Sequence, residues 1–296
     1  MGRTLRLGTR GSALARAQTE LVLAALRRAI PDISVEVVTV ATRGDLDQTS
    51  PVREGSGWFT TALQEALREG RVDLAIHSYK DLPTARPEGL VIAAVPLRED
   101  PRDALVSYSG QPLRALPAGA RIGTGSPRRA VQLTAIRPDV EVVPMRGNVD
   151  TRIRKVRAGE VDAAVLALAG LRRLGLEKEA AQVFGPEEML PAPAQGALAV
   201  ECRADDDEAL AAARAIDDPV LRATVGAERA FLARLEAGCS FPAAAYAEVF
   251  GSTLKLHGLI AAEGKIIRSK VGGPIEAWAG LGRQLADELL AKAKRR

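Results

Sequence analysis

Two stretches far apart in the chain begin alike. "RLGTRGSALARAQ" (Arg6 to Gln18) and "RIGTGSPRRAVQL" (Arg121 to Leu133) each run Arg, aliphatic, Gly-Thr and a nearby Ser into an Ala/Leu/Gln pattern of helical period. A second pair follows each in the same order, "GRVDLAI" from Gly70 and "GEVDAAV" from Gly159. An apolar run, a Gly-containing turn and a helical period make a strand, loop and helix module. Its repetition in order confines the chain to two similarly built α/β domains. The first copy carries an insertion, since Gly8 to Val72 spans 64 positions and Gly123 to Val161 only 38.

The insertion includes Thr42 to Trp58, "TRGDLDQTSPVREGSGW", which is polar, rich in Gly and Pro, and without period. A loop of that length in a compact domain is functional or disordered. Pro191, Pro193 and Gly196 mark a junction, after which "ALAVEC" reads as a strand returning to the first domain's sheet. "VPLREDPRD" (Val95 to Asp103) reads as the outgoing crossing. After a helical stretch from Val220 to Glu236 come three strand-like runs separated by Gly-containing turns, then an amphipathic helix. That end reads as a small α+β domain. The expected division is domain 1 over 1–97 and 197–216, domain 2 over 98–196 and domain 3 over 217–296.

Composition removes several classes of function. Lys plus Arg is 41 against 37 for Asp plus Glu, a net +4 without a basic tract, which does not suggest nucleic acid. No segment approaches the ~20 apolar residues of a membrane span. "MGRTLRLGTRGSALARAQ" scatters arginines where a secretory leader needs an apolar core. Two Cys and two His do not make a Cys/His zinc site of the usual kind. A cytoplasmic protein with reduced thiols and no metal is expected.

Two α/β domains joined by crossing strands imply a cleft, with ligands at the C-terminal ends of strands. The turns at Thr9 and Thr124 would present helix N-termini there, which favour an anion. Arg10, Arg128, Arg129, Arg146 and Arg152 recur at strand ends and helix starts. A cationic pair at a helix start, Arg128-Arg129, needs an anion nearby, and forked guanidinium binding suits a ligand with several carboxylates. Phosphate stays open, although there is no Walker A or G-x-G-x-x-G pattern. "HSYKDLP" (His77 to Pro83) ends a buried run with an imidazole, a hydroxyl, an ammonium and a carboxylate. His77 and Ser78 are adjacent on a strand and face opposite sides, so they are poor triad partners. Cys239 in "LEAGCSFP" lies in a Gly-flanked loop, where a thiol is structural or a site of covalent chemistry. Cys202 ends an apolar strand. These residues define a protein with a cleft for a polycarboxylate and leave its reaction open.

In order, "GTRGS", "TRGD", "HSYKDLP", "EDPRDA", "GTGSPRR", "RGNVDTR", "LALAGLRRLG", "PAPAQGALAVECR" and "LEAGCSFP" resemble the motifs of the porphobilinogen deaminase family, from about Leu5 to the end of the chain. The resemblance implies two type II periplasmic-binding-protein-like α/β domains around a cleft, plus a small α+β C-terminal domain. It implies that Cys239 holds a dipyrromethane cofactor through a thioether, built from the substrate. It implies head-to-tail condensation of four porphobilinogen units with loss of ammonia, followed by hydrolytic release of the linear tetrapyrrole, by a monomer.

Asp81 matches the catalytic aspartate, which would stabilise the cation left by departing ammonia and shuttle protons. The cofactor-binding positions implied are Cys239, Lys80, Asp81, Thr124, Ser126, Arg128, Arg129, Arg146 and Gly147. The substrate-contacting ones are Arg10, Ser12, Phe59, Arg146, Arg152, Arg173 and Gln195. The sequence departs from the family in the mobile loop, which usually reads G-K-G-[LF]-F and here is Gly55-Ser56-Gly57-Trp58-Phe59. Tyr79 stands where Leu or Met is usual, and Pro127 where Leu is. A solute-binding protein would need a leader and would not use Cys239 or a third domain. A regulator's effector domain would need a DNA-binding module.

Overall fold

The computed structural model describes residues 3–41, 60–235, 242–262 and 264–294. The insertion from Thr42 to Trp58, together with Phe59 and Cys239, lies outside the described residues. The chain divides into two compact units, Met1–Glu99 with Ala197–Arg222, and Asp100–Gly196 with Ala223–Arg296.

In the first unit, β1 (Leu5–Thr9) leads through Ser12 into α1 (Ala13–Ala29), and β2 (Val35–Thr39) follows. Then come α2 (Thr61–Arg68), β3 (Leu74–Ser78) and β4 (Leu90–Ala94). The chain leaves after Glu99 and comes back at Ala197 to add β10 (Leu198–Arg203) and α6 (Asp207–Arg214). The sheet order is β2-β1-β3-β10-β4, with β1 parallel to both neighbours and β10 antiparallel to its own.

The second unit opens on β5 (Asp103–Ser107), then β6 (Arg121–Gly123), α3 (Pro127–Ile136), β7 (Glu141–Val143) and α4 (Val149–Arg157). It continues with β8 (Ala163–Ala167), α5 (Leu168–Arg173) and β9 (Gln182–Val183). Its sheet runs β7-β6-β8-β5-β9, with β5 antiparallel to β8 and β9. Both sheets therefore follow one plan: second, first and third strands parallel, then the crossing strand, then the last. One strand order is thus built twice.

The repeated letters fix that plan physically. Arg6 and Asp73 exchange two hydrogen bonds: Asp73 N–H donates to the Arg6 carbonyl at 2.8 Å, and the Asp73 carboxylate accepts from Arg6 N–H at 2.8 Å. Asp162 repeats both bonds with Arg121, at 2.9 and 2.7 Å. A carboxylate closing the strand edge sets which residue of the first strand faces which of the third. Register is thus settled by one acid per sheet as well as by the apolar alternation.

The C-terminal sheet is an antiparallel meander of β11 (Ala243–Phe250), β12 (Thr253–Ala262) and β13 (Lys265–Pro274). It has α7 (Pro219–Arg234) and α8 (Trp278–Lys294) against it. Ala227, Phe231, Leu254, Leu256, Leu285 and Leu289 form its own core. It belongs to the second compact unit because polar ties bind it there. Arg268 on β13 donates to the Glu187 carbonyl at 3.0 Å and to Gln132 Oε1 on α3 at 3.2 Å. Glu228 on α7, fully buried, accepts from Ala194 N–H at 2.7 Å and Ala247 N–H at 2.9 Å.

Candidate functional site

Parallel strands share one C-terminal edge, and the polar residues singled out by sequence gather at that edge of each sheet. In the first unit β1 ends into Arg10 and Ser12, and its neighbour β3 ends into Lys80 and Asp81. Ser12 caps α1, its Oγ accepting from Ala15 N–H at 3.2 Å. Gln18 on the same helix donates to Ser78 Oγ at 2.9 Å and so ties α1 to the end of β3. Beyond Ser78 the chain closes a single 3-10 turn, Tyr79–Asp81, anchored by Tyr79 N–H donating to the Ala197 carbonyl at 3.0 Å. Tyr79 and Leu82 are buried on either side, Lys80 is half-buried, and Asp81 is exposed. Among the described residues no hydrogen bond or ion pair holds the Asp81 carboxylate, so it caps nothing.

His77 and Ser78 do not act together. His77 is buried, its Nε2 lying 3.0 Å from Glu201 Oε2 on β10, and Gln64 Nε2 donates to both oxygens of that acid at 3.1 and 3.2 Å.

In the second unit the corresponding edge is more heavily charged. Thr124 Oγ1 accepts from Ser126 N–H at 3.1 Å and shapes the turn into α3, with Pro127 at the first helical position, where its missing N–H costs nothing. Arg128 and Arg129 follow, each only 6% exposed. The anion that such a pair requires is supplied by the chain itself. Asp103, with no exposed surface, accepts from Arg128 Nη1 at 2.7 Å and from Arg129 Nε and Nη2 at 3.0 and 2.7 Å. Burial alone would raise the Asp103 carboxyl; the two guanidinium charges outweigh it and hold the group well below the usual carboxylate range. Arg129 Nη1 donates to the Val165 carbonyl at 3.0 Å, so all three of its nitrogens are engaged within the protein. Gln195 is fully buried, with Nε2 donating to the Pro101 carbonyl at 2.7 Å and to Asp103 Oδ1 at 2.9 Å.

Gly147 ends the strand-edge turn after β7 with φ +113, and a Cβ there would lie 2.7 Å from Thr151 Cγ2. Only glycine fits both constraints. Its carbonyl accepts from Arg152 Nε at 2.8 Å, while Arg146 beside it is exposed. Arg173, at the end of α5, donates through Nη2 to the Gly196 carbonyl at 2.6 Å. Thr124, Ser126, Arg128, Arg129 and Gln195 thus form one cluster, Gly147 and Arg152 a second contact, and Arg173 a third. Sequence reasoning missed Asp103, Gln132, Glu201 and Glu228. Each is a polar side chain inside an apolar or helical run, and a buried polar group in such a run demands a partner.

Cys202 is buried within the β10 core, and burial pushes its thiol up to about 11, with Asp206 adding to the effect. It is not a nucleophile at neutral pH. Among the described residues no group of His, Cys, Asp and Glu could hold a metal ion, and no helix is long and apolar enough to cross a membrane.

The two repeated sheets, with their charged strand ends, define an α/β protein whose polar chemistry is gathered at the C-terminal edge of each parallel set. Comparison with known proteins gives the family. Residues 5–211 match the model described as "Porphobilinogen deaminase, dipyromethane cofactor binding domain", and residues 222–291 match "Porphobilinogen deaminase, C-terminal domain". A porphobilinogen deaminase from Roseiflexus sp. (strain RS-1) is 48% identical over 100% of this chain and 98% of its own length. One from Acidothermus cellulolyticus is 50% identical over 97% and 88%. A solved periplasmic binding protein of Salmonella typhimurium, described as highly specific for arginine, has a TM-score of 0.41 at 13% identity over 73% of this chain and 92% of that one. The chain belongs to the porphobilinogen deaminase family, and with it to the transferases of tetrapyrrole biosynthesis that use a dipyrromethane cofactor.

Proposed function

We propose that this chain condenses four porphobilinogen molecules head to tail, with loss of ammonia at each step, and then releases the linear tetrapyrrole by hydrolysis. The observation that carries the chemistry is Asp81. It stands exposed at the end of a buried strand, and no hydrogen bond or ion pair with described residues holds it. Its carboxylate stabilises the positive charge that develops as the substrate's aminomethyl group departs as ammonia. The aminomethyl group, an ammonium at neutral pH, leaves as ammonia without a further proton, and the carboxylate accepts the proton displaced from the pyrrole carbon that forms the new bond. Fixed charge at such a point is worth roughly 10²–10³ in rate.

The residues present fit a cofactor bearing acetate and propionate groups. A buried arginine pair sits at a helix start in the second unit, with Thr124 and Ser126 beside it and Arg146 and Gly147 after the adjacent strand, and Lys80 ends a strand of the first unit. Forked guanidinium donors match planar carboxylates. Those residues would hold the dipyrromethane, and when bound it supplies the pyrrole to which substrate units are added. Cys239 is its anchor, through a thioether. Arg10, Ser12, Phe59, Arg146, Arg152, Arg173 and Gln195 orient the incoming substrate's carboxylates and ring. The protein acts as a cytoplasmic monomer, without nucleic acid or metal. It works as three domains, 1–97 with 197–216, 98–196 and 217–296.

Intact mass of the purified protein tests this directly. A mass above the sequence by two linked pyrrole units, mapped to Cys239, is expected. Cys239→Ala should lack it and not turn over, whereas Cys202→Ala should keep both. Active protein of unmodified mass would overturn the proposal.

A further inference from the structure

Asp103 opens β5 with a carboxylate that has no exposed surface. Its Oδ1 accepts from Arg129 Nε and Nη2 and from Gln195 Nε2, and its Oδ2 from Arg128 Nη1. A carboxylate without exposed surface meets no ligand directly. Whatever Asp103 does, it does through its partners.

Those partners are placed by the fold with unusual care. Gln195 follows Ala194, the one non-glycine residue with positive φ among the described residues, at +63. A side chain rarely adopts that conformation unless its surroundings over-determine it. Here the Ala194 N–H donates at 2.7 Å to Glu228, whose other oxygen accepts from Ala247 on β11. A buried acid on α7 thus fixes the turn that aims Gln195 at Asp103. On the far side, Gln132 of α3 accepts from Leu190 N–H at 2.8 Å and donates to the Leu190 carbonyl at 3.0 Å, and Arg128 Nη1 donates to that same carbonyl at 2.7 Å. The two guanidinia are therefore held at fixed points by carbonyls, with one shared carboxylate between them.

We propose that Asp103 is a positioning residue for the reaction: an internal counter-ion that presets Arg128 and Arg129 in the arrangement that receives a ligand carboxylate. This rests on the reading above that the ligand carries carboxylates. Without Asp103 the pair loses the anion it shares, so it should recruit one from solution and misplace the ligand.

The test compares the holoenzyme with Asp103→Asn, Asp103→Glu, Arg128→Lys and a control, Asp139→Asn, whose exposed acid pairs with Arg137 at 2.7 Å. Thermal midpoints are measured in sodium sulfate and in sodium chloride at matched ionic strength, and the fraction of protein carrying the cofactor by intact mass. Asp103→Asn should melt lower in chloride and recover in sulfate by several degrees more than the wild type or the control, as linkage to a bound anion requires. Its fraction carrying the cofactor should fall about 10-fold or more, as loss of a charge-assisted contact implies, and Asp103→Glu should restore part of it. Wild-type cofactor occupancy in Asp103→Asn, or a melting loss identical in the two salts, would reduce Asp103 to a packing role and overturn the proposal. Wild-type occupancy in Arg128→Lys, with the sulfate response of Asp103→Asn intact, would overturn the carboxylate reading and Asp103's part in the reaction, while the counter-ion remained. If Asp103→Asn does not fold, Asp103→Glu decides: reduced occupancy at a near-normal melting temperature supports the proposal, and wild-type occupancy refutes it.

Discussion

Ser12 and Ser126 occupy corresponding places in the two repeated modules, each just before its helix, yet they differ in what they do. Ser12 caps α1 with its side chain; Ser126 makes no side-chain cap to α3. The acids at the strand edge differ in the same way. Asp73 and Asp162 make the same exchange with Arg6 and Arg121, but Asp73 is fully buried and Asp162 is exposed. Around Asp73 gather the side chains of Arg6, at 2.8 and 3.0 Å, and Arg203, at 3.1 Å, with Arg203 also pairing to Asp206. In the second module the buried acid is instead Asp103 on the crossing strand, under the arginine pair. One backbone plan has thus been given two charge arrangements. In the first unit a buried acid with partly exposed arginine partners ties the sheet, and the exposed acid Asp81 is left at the strand end. In the second, the buried acid serves a cation site.

The largest effect expected from this contrast is on stability. Asp73→Ala leaves the partly exposed Arg6 and Arg203 guanidinia without the buried acid they share and should cost about 1.5–3 kcal/mol, read as a shift of the urea midpoint. Asp162→Ala loses a hydrogen bond at the surface and should cost about 0.5–1.5 kcal/mol. Equal losses would break the comparison. The same acid gives a pH signature. For Asp73 burial works upward, but the Arg6 side-chain and backbone bonds and Arg203 outweigh it and hold the carboxyl down to about 2, against an ordinary value of 3.8. A depressed carboxyl contributes stability that is complete above its unfolded value and lost as pH falls through the folded one. Stability should therefore decline between about pH 4 and pH 2, and less steeply in Asp73→Asn.

A smaller effect separates the serines. Ser12→Ala removes a cap and should cost about 1 kcal/mol. Ser126→Ala should leave the melting temperature unchanged and lower the fraction of protein that carries the cofactor, read by intact mass. A stability loss in both would mean that Ser126 caps α3 after all.

The sequence carried the plan of the fold because the plan is written in repeated local letters. Arg-x-Gly-Thr and Gly-x-Val-Asp mark the strand edges, Gly251 and Gly264 the turns of the C-terminal meander, and Pro127 a helix start. Less legible was which charged residues also have partners inside the protein. Nothing in "GTGSPRR" says that Asp103, from a strand crossing into the same sheet, lies beneath Arg128 and Arg129. A signal was available: "RDALV" starts a buried strand with an acid, "ALAVEC" hides Glu201 among apolar neighbours, and "GAERAFL" places Glu228 on a helix's apolar face. An acid inside such a run implies a buried partner. Its identity depends on tertiary contacts between residues far apart in the chain, as with Asp103 and Gln195 or Glu228 and Ala194. Asp81 was legible for the opposite reason: its polarity follows a strand that has no use for it.

The most direct test of this account is the turnover of Asp81→Asn with porphobilinogen, measured beside its melting temperature and intact mass. Since the Asp81 carboxylate makes no hydrogen bond or ion pair with described residues, the exchange should leave the melting temperature unchanged and the attached cofactor mass in place. Removing the charge should lower kcat about 10²-fold or more. A variant that turns over at the wild-type rate would contradict the account, and so would one whose lost activity is matched by lost folding.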